Sequence, residues 1–231
     1  MSDIYLTEVA AVKRQNTFMS ATYGWMAAGL AISAVSALAV VMIRPLTSLI
    51  LGNAFVPLGL FVLEFVLVIS LMAKIRNMSV QSAKAHFIGY SVVNGLTLSS
   101  IFFVYRLGTI FHAFFVAAII FGFAAIYGMR TKKNLVSFAH YLTMALVGIL
   151  VTSLLNFFLR SSTISWLIDF AAVAIFTGLA AFDAQKILRF SKEAGSGDDY
   201  KKLSIVAALE LYLDFINIFL HLMRIFGRIK D

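Results

Sequence analysis

Apolar positions along the chain gather into seven blocks, at about 22–43, 54–73, 83–104, 110–128, 137–159, 164–187 and 203–226, each near the ~20 residues a bilayer core requires. A transmembrane barrel would instead show short alternating strands between turns. Only helices remain, because hydrocarbon offers the backbone no partner outside the segment itself. Single Gly and Ser residues within the blocks are tolerated and let helices approach closely. The linkers are short, so neighbouring helices should run antiparallel. No repeat and no soluble domain interrupts the pattern, and the chain reads as one transmembrane domain, 1–231, which begins with a polar tail over 1–20.

The seventh block breaks the apolar pattern in an ordered way. Glu210, Asp214, Asn217, His221 and Arg224 are spaced 4, 3, 4 and 3 apart, which keeps them within about 40° of one line on a helix. A carboxylate in hydrocarbon costs roughly 2.5 to 3.5 kcal/mol at a helix centre, so the stripe must face protein or water. The sixth block offers the best answer to it, Asp183.

Composition agrees with the pattern: 61% of residues are hydrophobic and 13% charged, and the mean hydropathy is +0.93. The early residues Asp3, Glu8, Lys13, Arg14, Gln15 and Asn16 do not have the form of a cleaved signal peptide. The absence of cysteine excludes disulfides, thiolate catalysis and sulfur-held metal. A net charge of +8 could suggest nucleic acid, but the cations sit in short loops between spans. With the N-terminus cytoplasmic, 13 basic residues fall inside and 6 outside, half of those six in the tail from Arg224 to Lys230. Such a bias sets membrane topology and needs no nucleic-acid partner. The basic tail is the misfit, and a re-entrant last helix would place it inside; a full seventh span is expected. Ser191 to Tyr200 reads as a flexible linker without the spacing of a calcium loop.

The residues able to carry chemistry are acids. Asp169 and Asp183 lie 14 residues apart on one face of the sixth span, with small Ala172 and Ala180 between them. On straight helices Asp214 would lie ~16 Å past Leu203 and Asp183 ~6 Å short of Ile187. Glu210 would then match Asp183 slightly better, and a tilt or kink would bring Asp214 level. Two such carboxylates in contact share protons in coupled steps, which makes a pH sensor; alternatively each is satisfied separately by helix ends, Ser, Asn or water. In the second span Glu64 stands near the midpoint, where an acid is seldom idle. Lys74 and Arg76 stand at its inner end, where either a topology anchor or a counter-charge to the aspartates is expected. Asn94, Asn156 and His140 read as hydrogen-bond partners between helices, and His86 and His112 as residues near helix ends.

Three motifs carry a resemblance. Asn94-Gly-Leu-Thr-Leu-Ser-Ser, Thr177-Gly-Leu-Ala-Ala-Phe-Asp183-Ala-Gln-Lys-Ile and Leu211-Tyr-Leu-Asp214-Phe-Ile-Asn-Ile-Phe resemble the Bax inhibitor-1 (transmembrane Bax inhibitor motif) family from about Thr17 onward. The resemblance implies a seven-helix bundle whose last helix is enclosed by the other six. It further implies a pH-dependent calcium leak latched by two aspartates and an arginine from the second helix. Asp183 and Asp214 match the aspartates, with calcium passing them transiently. Glu64 matches an acid of the ion path, and the family spacing falls on Ile75, between Lys74 and Arg76, with Arg76 the choice. Glu210 departs from the small residue often found there. No enzyme activity and no cofactor are expected, the partners being the lipid bilayer, calcium ions and another membrane protein such as a protease. A bacterial plasma membrane is the expected location.

The strongest enzymatic rival, an intramembrane aspartyl protease, needs Tyr before its first Asp and Gly-x-Gly before its second. Phe182 precedes Asp183, and Tyr212 and Leu213 precede Asp214. A retinal pump needs a lysine within the seventh span, and Leu203 to Phe226 has none. A proton-coupled transporter stays open, although no inverted repeat is found. So does a regulator that binds another membrane protein without conducting.

Overall fold

The computed structural model describes residues 2–53, 55–193 and 197–227. Helices account for nearly all of them: α1 (Ser2–Met42), α2 (Arg44–Leu51), α3 (Phe55–Lys74), α4 (Val80–Leu98), α5 (Ile101–Val104), α6 (Leu107–Arg130), α7 (Val136–Leu159), α8 (Ser162–Glu193) and α9 (Asp198–Phe226). Among the described residues, seven stretches are long and apolar enough to cross a membrane, and they coincide with the seven apolar blocks. The protein is an all-helical integral membrane protein.

Several boundaries differ from the pattern of apolar blocks. Helix α1 begins at Ser2, and the polar residues before position 22 continue it. An unexpected short helix, α2, follows the first span, with Pro45 in its opening turn, where a missing N–H costs nothing. The third block divides at Ser99 and Ser100, whose hydroxyls donate to the carbonyls of Leu96 (2.6 Å) and Thr97 (3.0 Å). Serine pairs bonding back to the preceding turn are a known cause of helix breaks. The linker before α9 is shorter than Ser191–Tyr200, because α8 runs on to Glu193 and α9 starts at Asp198. Gly195 and Ser196 of that linker, and Arg228 and Lys230 of the tail, lie outside the described residues.

The chain forms two compact units. The first comprises Met1–Val104 with Arg189–Tyr212, the second Tyr105–Leu188 with Leu213–Asp231. In the first, α4 packs on α1 and α3, and α2 bridges α1 and α3. Gly95 makes the α1–α4 contact possible, since a Cβ there would collide with the backbone of Ser33. Ser79 caps α4 by accepting from the Ser82 N–H at 3.1 Å. Lys202 Nζ donates to the carbonyl of Arg76 (3.2 Å) and pairs with Asp199 (2.8 Å), tying the start of α9 to the turn between α3 and α4.

In the second unit, Gly128 of α6 meets the backbone of Ala181 of α8, again with no room for a Cβ. Gln185 of α8 holds the α6–α7 connection by accepting from the Leu135 N–H (3.0 Å) and donating to the Lys133 carbonyl (2.8 Å). The α7–α8 turn is tight. Arg160 takes a left-handed conformation, φ 52°, which is strained for a residue with a side chain. Asn156 supports it, accepting from the Ser161 N–H (3.1 Å) and donating to the Ser161 carbonyl (3.1 Å) and Ser165 Oγ (2.8 Å). Phe215 lies edge-on to Phe114 and Phe121, with centroids 5.3 and 5.8 Å away.

Candidate functional site

Helix α9 is the most buried of the seven spans: 67% of its apolar stretch is buried, against 44% or less in each of the others. That agrees with the expectation of a last helix enclosed by its neighbours. Polar residues on such a helix need partners from the protein, and the two units supply them separately.

In the first unit a chain of polar side chains runs through apolar surroundings. Tyr212 of α9 is 0% exposed, with Phe87 and Tyr90 edge-on to its ring. Its hydroxyl donates to Asn94 Oδ1 at 2.7 Å. The Asn94 amide in turn donates to Glu64 Oε2 at 3.3 Å. At the other end, Ser33 Oγ lies 2.7 Å from the Tyr212 hydroxyl. Ser33 also reaches the carbonyls of Ser91 (2.7 Å) and Gly29 (3.0 Å). Four helices, α1, α3, α4 and α9, thus contribute one polar side chain each. Helix α3 buries only Leu71, yet its acid is half-buried. Glu64 Oε1 is itself buried and takes none of these bonds.

Asn94 was legible in the sequence as an interhelical partner. Tyr212 and Ser33 were not, because a tyrosine or serine in an apolar span reads as packing. One signal was there: a buried phenol requires a partner for its hydroxyl.

In the second unit, Asp169 of α8 is 6% exposed and receives two groups of α9. His221 Nδ1 lies 2.7 Å from its Oδ1, and Arg224 Nη1 donates to the same oxygen at 3.2 Å. The Phe176 ring stacks on His221, with centroids 6.2 Å apart. Asn217 donates to the Leu213 carbonyl of its own helix at 2.8 Å. The polar stripe was expected to find its answer in Asp183. For His221 and Arg224 that expectation is corrected: the acid near the start of α8 takes both, so the C-terminal part of the stripe forms a cluster around Asp169.

Asp183 and Asp214 both belong to the second unit. Asp183 is partly buried, with Lys186 Nζ 3.8 Å from its Oδ1 one turn along α8. Asp214 is 5% exposed, and Glu210, one turn earlier, is half-buried. Glu64 and Arg76 belong to the first unit. Arg76 lies in the turn after α3 with an exposed side chain, and Lys74 is exposed in the last turn of that helix. His140 is exposed and touches the ring of its neighbour Tyr141. His86 Nδ1 is 2.8 Å from the Ser82 carbonyl, and His112 lies edge-on to Phe226. Among the described residues, no three His, Asp or Glu side chains are placed to hold a metal ion together.

Seven apolar spans with acids turned into protein define a polytopic helical membrane protein with a polar interior. The family model described as "Inhibitor of apoptosis-promoting Bax1" matches residues 15–231. The chain therefore belongs to the Bax inhibitor-1 family. It is 41% identical over 213 residues to the inner membrane protein YbhL of Escherichia coli, covering 91% of each chain. An uncharacterized protein of Deinococcus radiodurans is 37% identical over 231 residues, 100% of this chain and 98% of that one. An uncharacterized membrane protein of Streptococcus pyogenes is 36% identical over 215 residues, 92% of this chain and 93% of that one.

Proposed function

We propose that the protein is a pH-sensitive calcium leak channel of a bacterial inner membrane, with its N-terminus in the cytoplasm. Asp183 and Asp214 form the sensing pair, Arg76 is the counter-charge that closes the latch, and Glu64 with Glu210 lines the ion path. The observation that carries this reading is Glu64. It is an acid on α3, one of the two least buried spans, turned onto buried polar groups. Carboxylate oxygens are the ligands that calcium prefers. Such a group is expensive to keep within a span without a use. Family membership supports the aspartate pair, because both residues stand in the motifs that carry the resemblance.

The gating sign follows from charge. With both aspartates ionised, Arg76 is held and the latch is closed. Protonation of one removes half of that attraction. The open population then rises as pH falls.

Calcium flux into liposomes containing the purified protein tests the ion path. Glu64→Gln should reduce flux at least tenfold, roughly what loss of a charged ligand worth about 1.5 to 3 kcal/mol implies. Unchanged flux would remove Glu64 from the path. A second reading, a regulator of another membrane protein, is favoured if the wild-type chain passes no ion at any pH.

A further inference from the structure

We infer that Tyr212 is a positioning residue for Glu64, acting through the Asn94 amide. The inference rests on the reading of Glu64 as part of the ion path. An asparagine amide has two unlike ends, a carbonyl that only accepts and an NH2 that only donates, while an ionised carboxylate only accepts. Asn94 can therefore hold an ionised Glu64 in one orientation alone, with Nδ2 toward the carboxylate. Turned round, it would set Oδ1 against Oε2, two acceptors face to face.

The Tyr212 hydroxyl selects the working orientation. Its single hydrogen is given to Asn94 Oδ1 at 2.7 Å, which leaves the NH2 facing Glu64 Oε2. Ser33 Oγ, 2.7 Å away on the other side, gives its single hydrogen to the phenol oxygen in this arrangement. The ring itself cannot shift, being wholly buried between Phe87 and Tyr90. Phenylalanine at 212 would keep the ring packing and remove the hydroxyl that fixes the amide. Tyr212 is thus the residue of the Leu211-Tyr-Leu-Asp214 motif that serves the acid of α3.

Two measurements on the purified full-length chain test this. The first is infrared difference spectroscopy with 13C-labelled glutamate, the Glu64 band being assigned by its loss in Glu64→Gln. Tyr212→Phe and Asn94→Ala should both shift that band in the same direction. Tyr23→Phe, which removes a buried hydroxyl with no hydrogen-bond partner among the described residues, should leave it in place. The second is calcium flux against calcium concentration in liposomes. Tyr212→Phe should raise the half-saturating concentration about fivefold, the worth of one neutral hydrogen bond. Its maximal rate should change less than twofold, a split that general loosening of the fold would not give.

A Glu64 band unmoved in both Tyr212→Phe and Asn94→Ala would overturn the inference, as would an equal shift in Tyr23→Phe. If Glu64→Gln leaves flux unchanged, Glu64 falls out of the ion path, and the infrared result alone decides the positioning role.

Discussion

Single residues decide what α9 can do. Asp169 is the clearest structural case, since one buried carboxylate oxygen takes both His221 and Arg224. Replacing it by alanine leaves the partly buried imidazole and the half-exposed guanidinium without that acceptor. The expected loss of stability is about 2 kcal/mol, below the full value of a buried pair because half of the Arg224 side chain meets solvent. Denaturant unfolding in micelles measures it, and Asp169→Asn, which keeps an acceptor oxygen, should lose less. This cluster shows why the site was only partly legible. The 4, 3, 4, 3 spacing announces a polar stripe, but spacing on one helix cannot say which acid of another meets it. Asp183 and Asp169 lie on the same face of α8, and only the folded register assigns His221 and Arg224 to Asp169. Tyr212 illustrates the opposite difficulty: its partner was visible as Asn94, while its own role was hidden by an apolar setting.

At the scale of elements, the apolar blocks were read correctly because bilayer thickness sets their length. Their ends and interruptions were harder, since capping and side-chain bonds to the backbone determine them. The Ser99–Ser100 break and the extension of α1 through polar residues are of that kind. The glycines separate into two groups with different expectations. A Cβ at Gly95 or Gly128 meets the backbone of a neighbouring helix, whereas one at Gly122 meets nothing within 4 Å. Gly95→Ala and Gly128→Ala should each cost about 1 to 3 kcal/mol by overpacking. Gly122→Ala should be neutral or stabilise by up to about 1 kcal/mol through helix propensity. Thermal unfolding of the three variants side by side checks the contrast. At the start of α4, Ser79→Ala should lower stability by about 1 kcal/mol through loss of the cap to Ser82.

At the scale of the whole molecule, the distribution of basic residues sets the expected topology. Helix α9 is continuous over 29 residues, about 43 Å at 1.5 Å per residue, which exceeds the ~30 Å hydrocarbon core. An uninterrupted span of this length argues against a re-entrant hairpin. A reporter fused after Asp231 should therefore lie on the side opposite the N-terminus, and one placed in the α6–α7 connection near Lys132 should lie on the cytoplasmic side. A cytoplasmic reporter after Asp231 would contradict the full seventh span while leaving the acids where they are. The polar chain from Ser33 to Glu64 and the cluster at Asp169 both anchor α9, each within its own unit.

The most direct measurement is calcium flux into liposomes containing the purified protein, followed across pH for the wild type, Asp183→Asn and Asp214→Asn. Flux through the wild type should rise as pH falls if protonating one aspartate releases the proposed latch. Each asparagine variant, fixed in the uncharged form, should leak at high pH and respond little to acid. A wild-type pH response that persists undiminished in both variants would contradict the aspartate pair as the sensor.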